Sequence, residues 1–164
     1  MNLLEYEAKD ILNKFDVPLP AGFTLKNGDT VPKAPIVLKS QVHAGGRGKL
    51  GGVKLIKSGD ATSVAKDLFT LTIKGELPQT LLAEELLSIK NEYYISLSVN
   101  RTAGTIELVA HREGGIEVES HAPDEFYRHQ LSQDLVGAVG DSLADYLQLP
   151  EKSFALQDLL KQLY

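Results

Sequence analysis

The sequence predicts an α/β protein of the α+β type, with two small lobes whose sheets are mixed or antiparallel. Its 164 residues, 43% of them apolar, are enough for one good core or for two small lobes. Pro18 and Pro20 break the chain after a first helix, because proline cannot continue a helix. Two strands then flank residues 84–92, where we expect the link between the lobes.

The elements of the first hundred residues follow from local patterns. Asn2 and Glu5 have capping-box spacing, and apolar residues then recur at helical intervals. The strands are short, β-branched runs bounded by proline or glycine. The predicted elements are a helix over 3–15, strands over 23–25, 36–42 and 53–56, a helix over 61–72, and strands over 81–86 and 93–99. Residues 20–100 are predicted to form the first lobe.

The second lobe is predicted to consist of residues 1–19 and 101–164. Its elements after residue 100 are a strand over 105–111, a strand over 116–119, and a helical remainder that contains two final helices around Leu143 and Leu156. The last helix runs to Tyr164 with no stop signal and no closing strand. We therefore expect the second lobe to be incomplete and the chain to be a fragment.

Composition and charge exclude several classes of protein. There is no cysteine, hence no disulfide or thiolate metal site, which fits a reducing compartment. The sequence shows no secretory signal and no apolar run of membrane length. Residues 1–57 carry nine Lys or Arg against five Asp or Glu (+4), whereas residues 58–164 carry eight against seventeen (−9). This asymmetry predicts a small anionic ligand, with neither nucleic acid nor membrane as a partner.

Five of the eight residues from Gly45 to Gly52 are glycine, with Arg47 and Lys49 among them. Residues 46–51 match G-x-G-x-x-G, but a dinucleotide fold requires a helix next. Here residues 53–56 alternate like a strand. A Walker A loop is excluded because neither Ser nor Thr follows Lys49. The pattern is therefore a strand, a glycine loop and a second strand.

Such a loop can cover a triphosphate like a lid, with Lys39 on the incoming strand reaching a phosphate. A flexible surface hairpin is an equally good interpretation of the spacing alone. Glu84 and Glu92 flank the predicted link and could accept ribose hydroxyls. Taken alone, they are better interpreted as solvated acids.

Histidines and further acids do not indicate a metal site. The histidines His43, His111, His121 and His129 are scattered without metal-ligand spacing and are predicted to be structural or exposed. The acids Glu113, Glu117 and Glu119 are interpreted as solvated residues on a strand face. No metal ligand and no catalytic residue are predicted in this chain.

Several motifs, in order, identify a family. They are Asn2-Leu3-x-Glu5-Tyr6-x-Ala8-Lys9, Pro18-x-Pro20-x-Gly22, the block Lys39-x-Gln41-Val42-His43-Ala44-Gly45-Gly46-Arg47-Gly48-Lys49-x-Gly51-Gly52-Val53-Lys54, and Glu113-Gly114-Gly115-Ile116-Glu117-Val118-Glu119. The sequence closely resembles the N-terminal region of the β subunits of succinyl-CoA synthetase (succinate–CoA ligase, ADP-forming), which begin with an ATP-grasp domain. This resemblance favours the lid interpretation of the glycine loop.

The resemblance implies a set of residues that bind ATP or ADP. They are Lys39 at a phosphate, Gly46, Arg47 and Gly48 over the phosphates, Glu84 at the link between the lobes, the backbone of Leu87 beside adenine, and Glu92 at the ribose. Pro20 matches the residue that ADP-forming members tend to have near the base, which weakly favours adenine over guanine as the base.

The resemblance also implies an activity. The family interconverts succinyl-CoA, ADP and phosphate with succinate, CoA and ATP, a tricarboxylic acid cycle reaction of the bacterial cytoplasm or the mitochondrial matrix. The intermediate is a phosphohistidine on a separate α subunit, the partner in a heterodimer or heterotetramer, so His43 is not assigned that role. The family's ligands for the Mg²⁺ that accompanies the nucleotide lie beyond the matched region, so this chain alone is expected to be inactive.

Two alternatives remain open from the sequence. One is a short, non-catalytic module that binds nucleotide or a partner. The other is the equivalent region of a related malate–CoA or citrate–CoA ligase, since nothing in the sequence selects the acid.

Overall fold

The computed structural model describes residues 2–115, 117–131 and 136–164. The chain forms two compact units, the first ending at Ser88 and the second beginning at Ile89. Helices and antiparallel sheets in both units confirm the predicted α+β class. No helix in the described ranges is both long and apolar enough to cross a membrane.

The first unit is a four-stranded antiparallel sheet with two helices. Its elements are α1 (Glu5–Asn13), β1 (Gly22–Leu25), β2 (Ile36–Ser40), β3 (Val53–Ile56), α2 (Thr62–Thr70) and β4 (Leu81–Glu85). The strand order is β1-β4-β2-β3. Leu68 of α2 packs against Leu38 of β2 and Leu81 of β4 in a core of fully buried apolar side chains. The two central strands, β2 and β4, therefore lie at the centre of this core.

Helix α1 joins this sheet through polar groups and not through an apolar face. None of its residues is buried, and Ile11, expected to face a core, is 42% exposed. The backbone N–H of Leu4 donates to Glu7 in a capping interaction. The N–H of Tyr6 donates to the buried side chain of Gln41, just after β2. The first unit thus contains the helix that the sequence assigns to the second lobe, and it ends before residue 100.

The second unit is a three-stranded antiparallel sheet followed by two helices. Its elements are β5 (Tyr94–Asn100), β6 (Thr105–His111), β7 (Tyr127–Leu131), α3 (Val136–Leu147) and α4 (Ser153–Leu163). The strand order is β5-β6-β7. Leu108 and Leu131 of the sheet share one core with Leu143 of α3 and Leu160 of α4. The leucines that recur at helical spacing in the sequence are buried or half-buried on these two helices, and this confirms both helical predictions.

Two predictions for the second unit are wrong. The predicted strand over 116–119 is absent from the described part of that segment, which has a turn at Glu117 and a 3₁₀ turn over Val118–Ser120. Strand β7 falls in a region predicted to be helical. Its sequence is polar, but positions 127, 129 and 131 are more buried than 128 and 130, as expected for a strand with one solvated face.

Candidate functional site

The glycine-rich segment is a loop between the antiparallel strands β2 and β3. It closes through a turn in which the N–H of Gly52 donates to the carbonyl of Arg47 at 2.8 Å. Gly46 has a φ of 75°, a backbone conformation that residues other than glycine rarely adopt. No helix begins at Gly48, so the predicted order of strand, glycine loop and strand is confirmed and the dinucleotide alternative is excluded. Gly46 and Gly48 are both exposed.

Two cations beside this loop converge on one carboxylate. The Lys39 Nζ donates to Oε1 of Glu5 at 2.8 Å, and Nη2 of Arg47 donates to Oε2 at 2.5 Å. The Nη1 of Arg47 also donates to the carbonyl of Ser40 at 2.7 Å, which holds the guanidinium at the end of β2. The structure thus brings Lys39 and Arg47 together, as their proposed shared role at the phosphates requires.

Glu84 is the buried centre of the same charged network. It is 3% exposed, and its Oε2 lies 2.6 Å from Nζ of Lys39, while Lys9 of α1 contacts Oε1. A methyl group at Gly22 would lie 2.7 Å from Cγ of Glu84, so glycine is needed where β1 passes this side chain. We name the set Glu5, Lys9, Lys39, Arg47 and Glu84 the ion-pair cluster.

The cluster perturbs the protonation of its members. Burial alone would raise the pKa of Glu5, but hydrogen bonds and charges from Lys39 and Arg47 lower it from 4.5 to about 2. Burial likewise would lower the pKa of Lys39, yet its bonds to Glu5 and Glu84 raise it above its ordinary value. Both groups are therefore charged at neutral pH.

The other predicted residues lie farther along the chain. Leu87 is exposed and follows β4 by two residues, so its backbone lies at the end of the first unit. Glu92 belongs to the second unit, where its carbonyl accepts a hydrogen bond from the N–H of Gly114 at 2.9 Å. Lys39, Gly46, Arg47, Gly48 and Glu84 lie together in the first unit. The binding roles of all seven residues remain predictions.

An open cleft of about 520 Å³ lies beside the ion-pair cluster in the first unit. Lys9 and Glu84 form part of its wall, which also includes Tyr6, Pro20 and Phe23. Pro20, expected near the base, is thus in the same cleft as two members of the cluster. The cleft offers apolar surface beside charge, a combination that suits a nucleoside.

Three residues of the site were not predicted from the sequence. Glu5 and Lys9 are four residues apart on α1, and this spacing places both on the helix face that meets β2 and β4. Gln41 is 3% exposed and bonds the backbones of Tyr6 and Lys39. All three residues belong to the motifs quoted above, and Glu5 and Lys9 also have the helical spacing of an ion pair, but neither signal indicates that they contact Lys39, Arg47 or Glu84.

The histidines are not all scattered, contrary to the sequence interpretation. The rings of His111 and His121 stack with centroids 3.9 Å apart. The chain reverses after β6 through Gly115, which has a φ of 88°, and returns through the 3₁₀ turn to His121. Glu113 is an exposed acid near His121, whereas the side chain of Glu119 lies outside the described part of the chain.

A methyl group at Gly52 is expected to disturb the loop. It would lie 2.5 Å from Cδ1 of Ile73, which is fully buried, and 3.2 Å from the carbonyl oxygen of Arg47. Such overpacking costs about 1–3 kcal/mol, so Gly52→Ala should lower the urea midpoint accordingly. Gly45→Ala is the control, because its methyl meets no described atom within 4 Å, and we expect a change below about 0.5 kcal/mol. Equal midpoints for the two variants would contradict this view of the loop.

Comparisons with known proteins show which family this sequence matches. The sequence model of the ATP-grasp domain matches residues 2–164. Succinate–CoA ligase [ADP-forming] subunit beta of Ignicoccus hospitalis is 42% identical over 131 residues, which are 76% of this chain and 35% of that protein. The same-named subunit of Cupriavidus necator is 35% identical over 189 aligned residues, covering 100% of this chain and 49% of that protein. The chain thus spans half or less of the length of these relatives.

Solved structures show a similar fold at low sequence identity. PH1788 from Pyrococcus horikoshii has a TM-score of 0.70 and 18% identity, with 98% of this chain and 75% of that chain covered. ACD1 of Ca. Korarchaeum cryptofilum, solved in complex with coenzyme A, has a TM-score of 0.71 and 17% identity, covering 98% and 77%. These structures bear on the fold alone.

Proposed function

The chain belongs to the ATP-grasp family, and on that basis we propose that it forms the nucleotide-binding part of the β subunit of an ADP-forming succinate–CoA ligase. This ligase interconverts succinyl-CoA, ADP and phosphate with succinate, CoA and ATP, through a phosphohistidine on an α subunit. The names of the relatives support succinate as the acid. The α subunit as partner and the cytoplasmic location rest on the family resemblance.

The observation that carries the proposal is the convergence of Lys39 and Arg47 beside the glycine loop. Both cations reach a single carboxylate, at 2.8 and 2.5 Å, so their charged groups are spaced to engage one small anion. A phosphate offers similar oxygens, and a guanidinium matches their geometry. Glu5 holds these two cations beside each other.

Lys39 and Arg47 have more N–H groups than their contacts with Glu5, Glu84 and Ser40 use, and these further donors can bind phosphates. The Lys39 ammonium has three N–H groups, of which Glu5 and Glu84 accept two. The guanidinium of Arg47 has five N–H groups, and Ser40 and Glu5 each receive one hydrogen bond. The exposed backbone at Gly46 and Gly48 lets phosphates approach without contact with side chains. In this proposal these groups neutralise the charge of the transferred phosphoryl group.

The base and the ribose complete the proposed nucleotide site. We propose that the base lies in the cleft that contains Pro20, because this cleft also reaches Glu84. The backbone of Leu87 is assigned to the base on the family resemblance alone. Glu92 is proposed to accept the ribose hydroxyls, and this role rests on the resemblance alone.

In the succinate–CoA ligases that this sequence resembles, Mg²⁺ accompanies ATP and ADP. A protein-held Mg²⁺ site requires several oxygen ligands. Among the described residues, the only group of three potential ligands close enough for one metal ion is His111, His121 and Glu125, and two imidazoles do not suit magnesium. The described residues therefore do not fit a magnesium site. The roles proposed above in binding the nucleotide are those of side chains and backbone groups of this chain.

Titration calorimetry with ADP, AMP and GDP, each with Mg²⁺, tests the proposed function. We expect one ADP per chain and at least about tenfold weaker binding of AMP, because AMP lacks the β-phosphate that the two cations would bind. GDP should also bind more weakly than ADP. Equal affinity for ADP and AMP would show that the cations do not hold the phosphates, and no binding of any nucleotide would overturn the proposal.

A further inference from the structure

A cluster of potential metal ligands lies in the second unit, apart from the residues proposed to bind nucleotide. His111 ends β6, while His121 and Glu125 lie in the connection between β6 and β7. One ligand atom from each of the three lies within 4.8 Å of the others. We propose that these three residues form a binding site for a zinc-like transition-metal ion. This proposal does not depend on the proposed nucleotide-binding function.

The spacing of two ligands already suits a tetrahedral metal ion. Nδ1 of His121 lies 3.5 Å from Oε2 of Glu125. Two bonds of about 2.1 Å at a tetrahedral angle separate the ligand atoms by about 3.4 Å. A ring nitrogen of His111 lies within 4.8 Å of a potential ligand atom of each of the other two side chains, so bringing the three to this spacing requires movements of about 1.4 Å or less.

The surroundings fix two of the ligands in orientation. Nδ1 of His111 lies 3.0 Å from the backbone of Glu113, and this leaves Nε2 for the metal. Metal-binding histidines are commonly held in this way, through the ring nitrogen that does not bind the metal. Glu125 is held as well, because the N–H of Ala122 donates to its carboxylate at 2.8 Å.

The burial of the cluster also favours metal binding. His111 is 7% exposed and its ring packs against Phe126, with centroids 4.9 Å apart. On the other side, Glu125 is 54% exposed, so solvent can supply a fourth ligand. Two imidazoles and one carboxylate favour zinc, and also cobalt, nickel or copper, over magnesium or calcium.

Glu113 would serve as an outer partner of His121. Its carboxylate lies 3.7 Å from Nε2 of His121, on the opposite side of the ring from Glu125. A metal on Nδ1 leaves Nε2–H to donate toward this carboxylate, an arrangement that strengthens a histidine ligand. Metal binding would therefore tie together the segment between β6 and β7.

Zinc binding to the full chain without a histidine tag tests the proposal. We expect one zinc per chain by calorimetry, with excess Mg²⁺ present throughout and not competing. His121→Asn and Glu125→Gln should each weaken zinc binding at least about tenfold. His129→Asn is the matched control, because His129 lies on β7 and stacks on Tyr127 outside the cluster. Cobalt in place of zinc should give the intense visible absorption of a tetrahedral site.

Two results would overturn the proposal. One is the absence of zinc binding by the wild-type chain. The other is zinc binding that His121→Asn and Glu125→Gln both retain, since the metal would then lie elsewhere. These two residues are chosen because both are partly exposed, so the variants should fold, whereas His111 is buried. Unchanged circular dichroism of each variant checks that a loss of binding is not a loss of structure.

Discussion

Lys39→Met is expected to weaken ADP binding by about 1.5–3 kcal/mol, a factor of about 10–150 in the dissociation constant. In the proposed site the ammonium donates a charge-assisted hydrogen bond to a phosphate, and methionine removes both the donor and the charge. The comparison should use titration calorimetry at a temperature where both proteins are folded. AMP binding should change less, because the lost contact is to a phosphate that AMP lacks.

Lys9→Met provides the control for this variant. Both lysines form ion pairs with Glu84, but only Lys39 lies next to the glycine loop. Because Lys9 lines the cleft proposed for the base, Lys9→Met should weaken ADP and AMP binding by similar factors, whereas Lys39→Met should weaken ADP binding more than AMP binding. Similar losses for ADP and AMP in Lys39→Met would mean that Lys39 acts by holding Glu84, and would refute direct phosphate contact.

The double variant Lys9→Met/Lys39→Met is expected to lose about 3–5 kcal/mol of unfolding free energy. The Glu84 carboxylate is 3% exposed, and the double variant removes both cations with which it forms ion pairs. A buried charge without a partner is strongly destabilising. Urea unfolding should therefore show a large decrease in the midpoint.

A third substitution tests whether the buried charge is the cause. Adding Glu84→Leu to the double variant removes the carboxylate, and most of the lost stability should return, because a buried ion network can be replaced by apolar residues. The triple variant would remain as unstable as the double variant if lost packing by the lysine stems were responsible instead.

Much of the fold follows from local patterns. The strand after the glycine loop was predictable because residues 53–56 alternate, and this feature also argued against the dinucleotide interpretation. Helices α3 and α4 were predictable from leucines at helical spacing. Strand β7 was missed because its exposed face carries Arg128 and Gln130, so that its hydrophobic signal is confined to alternate positions.

The site was less predictable, because its contacts join distant segments. Arg47 and Lys39 are recognisable near the loop, but nothing local indicates that Glu5 would lie between them. The apolar residues of α1 suggested a helix packed through them, whereas its charged residues form the contact with the sheet. Similarly, His111 and His121 meet because the chain reverses between them, not because of metal-ligand spacing. Glu92 and Leu87 keep roles that only the family resemblance supplies.

The ion-pair cluster also constrains the order in which the protein can fold. Glu5 meets Lys39 and Arg47 across 34 and 42 positions of the chain, and Lys9 meets Glu84 across 75. Contacts at such separation form only after long loops have closed. During synthesis, helix α1 leaves the ribosome long before Glu84 has been added. The ion pairs of Lys9 and Lys39 with Glu84 can therefore form only after nearly all of the first unit has been translated.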